Sequence, residues 1–258
     1  MRTSAVRILS FFIVPMLLVG NLLTASIAFA QDGAAPNLPA VTALVKVAHL
    51  APFANTLDGT SVTVKVDGAP ALTNVKFGNI TGYLPFTPGS HKIDIIPTGS
   101  STIAITGTFN LVAGTSYTLS AIGDVTHQPL ELFALVDDNS PPATGARLRV
   151  AHFAPFDSVL ANTKVDICTS AGTVVPGLSN IPYKGFTTPY LNLPAGTYGL
   201  KITAAGSNCA TDLFDIAPFT LKNGEVVSAY AIGDITNLPL AVTITLDQVR
   251  SYFPLIFR

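Results

Sequence analysis

Val47-Ala48-His49-Leu50-Ala51-Pro52-Phe53 returns 103 residues later as Val150-Ala151-His152-Phe153-Ala154-Pro155-Phe156. Downstream in each stretch, Ala121-Ile122-Gly123-Asp124 returns as Ala231-Ile232-Gly233-Asp234. Order and spacing are kept, so the chain carries a duplication, and a repeat of this kind governs how everything between is read.

Between the repeated motifs the pattern has a period of two. Ser61-Val62-Thr63-Val64-Lys65-Val66-Asp67 sets three valines on one face and polar residues on the other, as a half-buried strand requires. Lys164-Val165-Asp166-Ile167-Cys168 does the same in the second copy, and His91 to Ile95 corresponds to Tyr198 to Ile202. No window of helical length shows a clean 3.6-residue period. About seven short strands in roughly 100 residues, with frequent turn signals, make each copy a β-sandwich. The expected fold is all-β, two tandem immunoglobulin-like antiparallel β-sandwich domains. The offset between copies grows from 103 at His49/His152 to 107 at Gly89/Gly196 and 110 at Asp124/Asp234. That growth places insertions around Thr187 to Asn192 and Cys209 to Pro218, at strand ends where loops absorb length cheaply.

The remaining boundaries follow from composition. Residues 1–30 read as a signal peptide: Arg2 and Arg7, an apolar run from Ile8 to Leu23, and the small-x-small site Ala28-Phe29-Ala30. Pro15, Gly20 and Asn21 interrupt the run, which falls short of the ~20 clean apolar residues of a spanning helix. Residues 31–43 form a linker, 44–138 the first domain, 139–145 a Pro-rich semi-stiff linker, 146–247 the second domain, and 248–258 an apolar tail that either docks or serves as a sorting tag. Removal of the signal would leave 12 Lys+Arg against 15 Asp+Glu. That balance speaks against nucleic acid or an anionic membrane as partner. Charged residues are 11% of the chain against a typical ~25%, so Thr, Ser and Asn supply much of the polar surface. Cys168 and Cys209, the two cysteines, read as a disulfide, since an exported chain favours bridging and neither C-x-x-C spacing nor a nearby His suggests redox or metal work.

With the motifs assembled, the chain resembles a bacterial family, domain of unknown function 4397, in tandem. The resemblance rests on the Val-x-His-x-x-Pro opening and the Val62 to Gly68 strand and turn. Gly82-Tyr83-Leu84, the Pro-Gly or Ala-Gly turn and the late Ala-Ile-Gly strand complete it. In the second copy Thr169-Ser170-Ala171-Gly172 replaces the Asp-Gly turn, and Gly185-Phe186 stands for Gly-Tyr. The family implies secreted or surface-exposed β-domains and brings no catalytic residues.

Candidate sites come with a structural alternative each. His49 and His152 are metal ligands or recognition residues, with Asp124 and Asp234, or else strand-end rings satisfying backbone groups. One His and one Asp per copy make an incomplete metal shell, so no metal and no cofactor are expected. Tyr83, Phe86, Tyr183, Phe186 and Tyr190 could stack on a glycan or fill the core. Without a Gly-x-Ser-x-Gly elbow or a marked carboxylate pair, an enzyme is not expected. The sequence therefore reads as a secreted or cell-surface non-catalytic protein of adhesion, assembly or protein interaction, its partner a surface protein or polysaccharide. The alternative is a glycan-binding protein using the Tyr83/Tyr183 segments.

Overall fold

The alternating runs become strands in the computed structural model, which describes residues 41–248. The expected signal peptide, residues 31–40 of the first linker and the tail beyond Gln248 lie outside them. The first half comprises β1 (Ala43–His49), β2 (Val62–Val66), β3 (Ala69–Val75), β4 (Leu84–Phe86), β5 (Gly89–Pro97), β6 (Ile105–Leu111), β7 (Ser116–Ile122) and β8 (Glu131–Asp137). The second comprises β9 (Ala146–His152), β10 (Val165–Thr169), β11 (Leu191–Leu193), β12 (Gly196–Ala204), β13 (Asp212–Leu221), β14 (Val226–Ile232) and β15 (Ala241–Leu246).

Each half is a two-sheet sandwich. One sheet runs β4-β1-β7-β8 in the first half and β11-β9-β14-β15 in the second; the other runs β3-β2-β5-β6 and β10-β12-β13. Pairing is antiparallel except at β1–β7 and β9–β14, which are parallel. That one parallel pair per half departs from the purely antiparallel expectation. It arises because the chain crosses to the other sheet and returns before β7 and β14 form. After β7 and β14 the backbone turns at Gly123 and Gly233, with φ of 91° and 93°. A Cβ there would lie 2.0 Å from the Pro129 carbonyl oxygen and 2.1 Å from that of Pro239, so only glycine closes these turns.

The strands β1 and β9 are buried on both faces, which single-strand alternation does not reveal. Ala43 and Val45 enter a core with Val62, Val64, Ile93 and Ile95, inside their own sandwich. Ala48 and the following Leu50 instead join Ile122 and Leu135 against Ala151, Phe153, Tyr183, Tyr230 and Ile232 of the other half. The two inner sheets thus pack face to face, giving four stacked sheets and a third core shared between the copies. Residues 41–248 belong to one compact unit. The connection between halves is also tied down: Asn139 Nδ2 donates to the Asp247 carbonyl, and Arg147 Nη1 to Asp138 Oδ2 at 2.6 Å.

Cys168 and Cys209 form the expected disulfide, with 41 residues of sequence separation. The first insertion falls elsewhere than the motif offsets suggest. Phe77 N and Tyr183 N donate to the hydroxyls of Thr60 and Thr163 respectively, which makes Tyr183 the counterpart of Phe77. The bridges Ala48–Ile80 and Ala151–Phe186 likewise pair Phe186 with Ile80. Three of the extra residues therefore lie between Thr163 and Tyr183, in the segment that takes the place of β3, and one lies just before Tyr190. Tyr83 corresponds to Tyr190, and Gly185-Phe186 does not stand for Gly-Tyr. The extra length sits in the segment that follows Cys168 and in the loop that carries Cys209.

Candidate functional site

His49 and His152 close the ends of β1 and β9 in the same way. Each Nε2 lies 2.7 Å from a backbone carbonyl, of Thr60 and Thr163. A carbonyl only accepts, so Nε2 carries the proton in both rings. The rings pack on Phe53 and Phe156 and are almost wholly buried. Burial lowers both pKa values against the opposing hydrogen bond, that of His152 to about 4. These rings stay neutral and hold the crossover loops; they are not poised as ligands.

Asp124 and Asp234 end β7 and β14, and each folds back on its own turn. Asp124 Oδ1 accepts the N–H groups of His127 and Gln128, and Asp234 Oδ1 those of Asn237 and Leu238. The second oxygens take His127 Nδ1 at 2.5 Å and Asn237 Nδ2 at 2.6 Å. The packing of the halves brings ligand atoms of Asp124, His127 and Asp234 within 4.8 Å of one another. This is the grouping among the described residues with metal-ligand chemistry. Yet in the second copy an amide side chain does the work of His127, which marks the histidine as a turn partner.

A larger polar constellation was not anticipated from sequence. Lys46 of β1 reaches across the shared core to Asp247 at 2.5 Å, and Arg149 of β9 reaches back to Asp137 at 2.7 Å. All four side chains are buried. Tyr83 donates to Asp137 and Tyr190 to Asp247, each at 2.7 Å, while Thr118 and Ser228 donate to the same two carboxylates. The cations also lie over the tyrosine rings, Lys46 at 4.7 Å from the Tyr83 centroid and Arg149 at 5.0 Å from that of Tyr190. These two pairs join the halves in an approximately two-fold arrangement, and Arg149 also lies 3.6 Å from Asp247 of its own half. Burial raises the pKa of both tyrosines, with Asp137 and Asp247 adding to it. Burial works against the Arg149 charge, but its neighbours outweigh it and raise its pKa. The signal was present in sequence: Lys46 and Arg149 share the 103-residue offset, Asp137 and Asp247 the 110-residue one.

The aromatic candidates therefore divide. Tyr83 and Tyr190 are committed to the charge network, Tyr183 is buried in the shared core, and Phe86 packs on the first sandwich core. Phe186 remains 39% exposed, its ring set edge-on to Phe133 at 6.1 Å. It lines an open groove of about 520 Å³ with Ser179, Asn180, Thr188 and Asn192, and no charged residue lines that groove. Inside the sandwiches the enclosed apolar cavities are only about 30 Å³ each, the room of a single water.

An all-β double sandwich with these buried networks is what the geometry defines. A family model described as a domain of unknown function, DUF4397, matches residues 43–161, the first copy and the start of the second. Among curated proteins none matches. Of solved structures, the Bacillus anthracis TIE protein is similar over 75% of this chain and 34% of its own, at 19% identity and a TM-score of 0.23. A candidate adhesin from Bacteroides ovatus is similar over 88% of this chain and 99% of its own, at 10% identity and a TM-score of 0.20. The chain thus spans about a third of the length of the first. Among the described residues no helix is long and apolar enough to cross a membrane.

Proposed function

We propose that the chain is an exported, non-catalytic surface or extracellular protein in which two copies of the family's domain form one rigid module for adhesion, assembly or protein interaction. The observation that carries this reading is the fate of the chemistry-bearing side chains. All four histidines are held by the fold: His49 and His152 by carbonyls, His127 by Asp124, and His91 by Asp67 and the Thr87 carbonyl. The buried charges serve the contact between halves. A general base needs a lone pair facing a substrate; His49 Nδ1 keeps one without a partner, but it is buried inside the fold. Export is supported by the pattern of residues 1–30 and by the disulfide, which persists in oxidising surroundings.

The test is to treat intact cells producing the chain with a membrane-impermeant amine reagent and to count free thiols in the recovered protein. The reading expects labelled chain with both thiols protected, and loss of surface attachment or cell–cell clumping when the chain is deleted. Protein found only inside cells, with alkylatable Cys168 and Cys209, would contradict it.

A further inference from the structure

The groove beside Phe186 sits where the two copies differ. In the first copy β3 pairs along β2 as a bulged edge strand, and Ile80 occupies the position of Phe186. In the second copy the extra residues after Cys168 leave β3's place to an irregular segment, which with the Thr187–Asn192 stretch walls the hollow. Its irregular backbone is held at several points. Ile181 N donates to the Val165 carbonyl, Gly185 N to Pro182 and Thr187 N to Val150, while Asn180 N donates to Asp166 Oδ1. A Cβ on Gly185 would meet Pro182 at 2.8 Å, so that turn has no slack. The groove is therefore formed in advance, and a ligand would bear little ordering cost.

What lines it selects the ligand. The absence of charge disfavours phosphate, carboxylate or ammonium groups as the recognised feature. The strand edge beside the groove, β11, is only three residues long, which leaves an extended peptide little ladder to pair with. What remains is one partly exposed ring with two amide and two hydroxyl side chains, Asn180, Asn192, Ser179 and Thr188, exposed around it. Apolar C–H faces on a ring, with fixed hydroxyls for amide and hydroxyl partners, describe a sugar.

The geometry points to this groove as a binding site for a neutral oligosaccharide, used by the second copy alone. The inference rests on the surface reading only for where such a ligand is met. It moves glycan recognition away from Tyr83 and Tyr183, whose side chains the fold consumes, to Phe186 and its polar neighbours.

Backbone amide shifts of the ¹⁵N-labelled full chain test it, with cellohexaose, mannohexaose and xylohexaose as probes and hexagalacturonate as the anionic control. At millimolar concentration at least one neutral hexasaccharide should move amides between 177 and 192 and leave those of 79–83 in place. Phe186→Ala should weaken binding by about five- to tenfold, the worth of one aromatic stack. Asn192→Ala, on the exposed rim and harmless to folding, should weaken it too, whereas Ile80→Ala should not. The inference is overturned if no neutral probe moves the groove, if shifts map elsewhere, if both groove variants bind as before, or if the anionic control binds equally well. None of these failures touches surface labelling or thiol protection, so the two proposals stand or fall separately.

Discussion

The two halves agree where they face each other and differ where they face away. Across the shared core one arrangement is repeated: Lys46 and Arg149 each reach the carboxylate of the other copy, Asp247 and Asp137, while Tyr83 and Tyr190 each bond the carboxylate of their own. On the outer side a bulged β3 edge strand stands against a segment with no named strand, clasped by a disulfide. The difference teaches that the repeated polar residues encode a contact, an intramolecular dimer, and that individuality was left to the outer edge of the second copy.

Removing one partner of the exchanged charges should break this agreement most severely. Arg149→Met leaves Asp137 buried without its cation and should cost about 3–5 kcal/mol in urea denaturation. Adding Asp137→Leu should recover part of that loss, because it removes the unpaired buried charge but leaves the Tyr83 and Thr118 hydroxyls without their acceptor. A cost under about 1 kcal/mol for the single change would mean that the halves do not depend on the network.

The disulfide sharpens the other side of the comparison. Closing a loop of this length stabilises by up to about 4 kcal/mol on the chain-entropy argument. Cys168→Ala with Cys209→Ala should lower the melting of the whole molecule, the first half included, although the bridge lies in the second. Separate melting of the first half at its original temperature would break the account.

The strand-end histidines respond to acid. The unfolded chain takes up protons near pH 6.5, whereas folded His152 resists until about pH 4. Stability is therefore fully present above pH 6.5, is lost as pH falls toward 4, and loses nothing more from this source below that. The loss is about 3 kcal/mol for His152, with His49 acting in the same direction. His91 opposes it: hydrogen bonds to the Thr87 carbonyl and Asp67 raise its pKa, so it lends stability as pH falls, from a half-buried site. Denaturation of His152→Gln should show a flatter pH dependence than the parent chain.

The smallest effect lies at the turn tips. Val125 and Ile235 sit at φ of 73° and 68° with their side chains exposed, a conformation β-branched residues rarely adopt. Val125→Asn and Ile235→Asn should each raise stability by about 1 kcal/mol. A loss instead would show that these side chains pack on something outside the chain.

Much of the fold was legible because valine alternation and glycine turns act locally. The sandwich of each copy and the Cys168–Cys209 bridge follow from such signals. The packing of copy on copy was not legible, because alternation sends Lys46 and Arg149 to a face that an isolated sandwich would expose to water. That face became a core only through the second copy. Motif offsets place the counterpart of Tyr83 at Gly185-Phe186 rather than Tyr190 for a related reason: they locate an insertion only between two matches. Hydrogen bonds from Phe77 and Tyr183 then located it near the disulfide. Phe186 could be seen as an aromatic, but its exposure depends on the missing β3 edge, which is a tertiary fact.

The claim that two sandwiches form one cooperative body is tested most directly by calorimetry of the full chain and of Arg149→Met. One transition is expected, its calorimetric and van't Hoff enthalpies in agreement, moved as a whole to lower temperature by the substitution. Two resolved transitions, only one of them shifted, would contradict it.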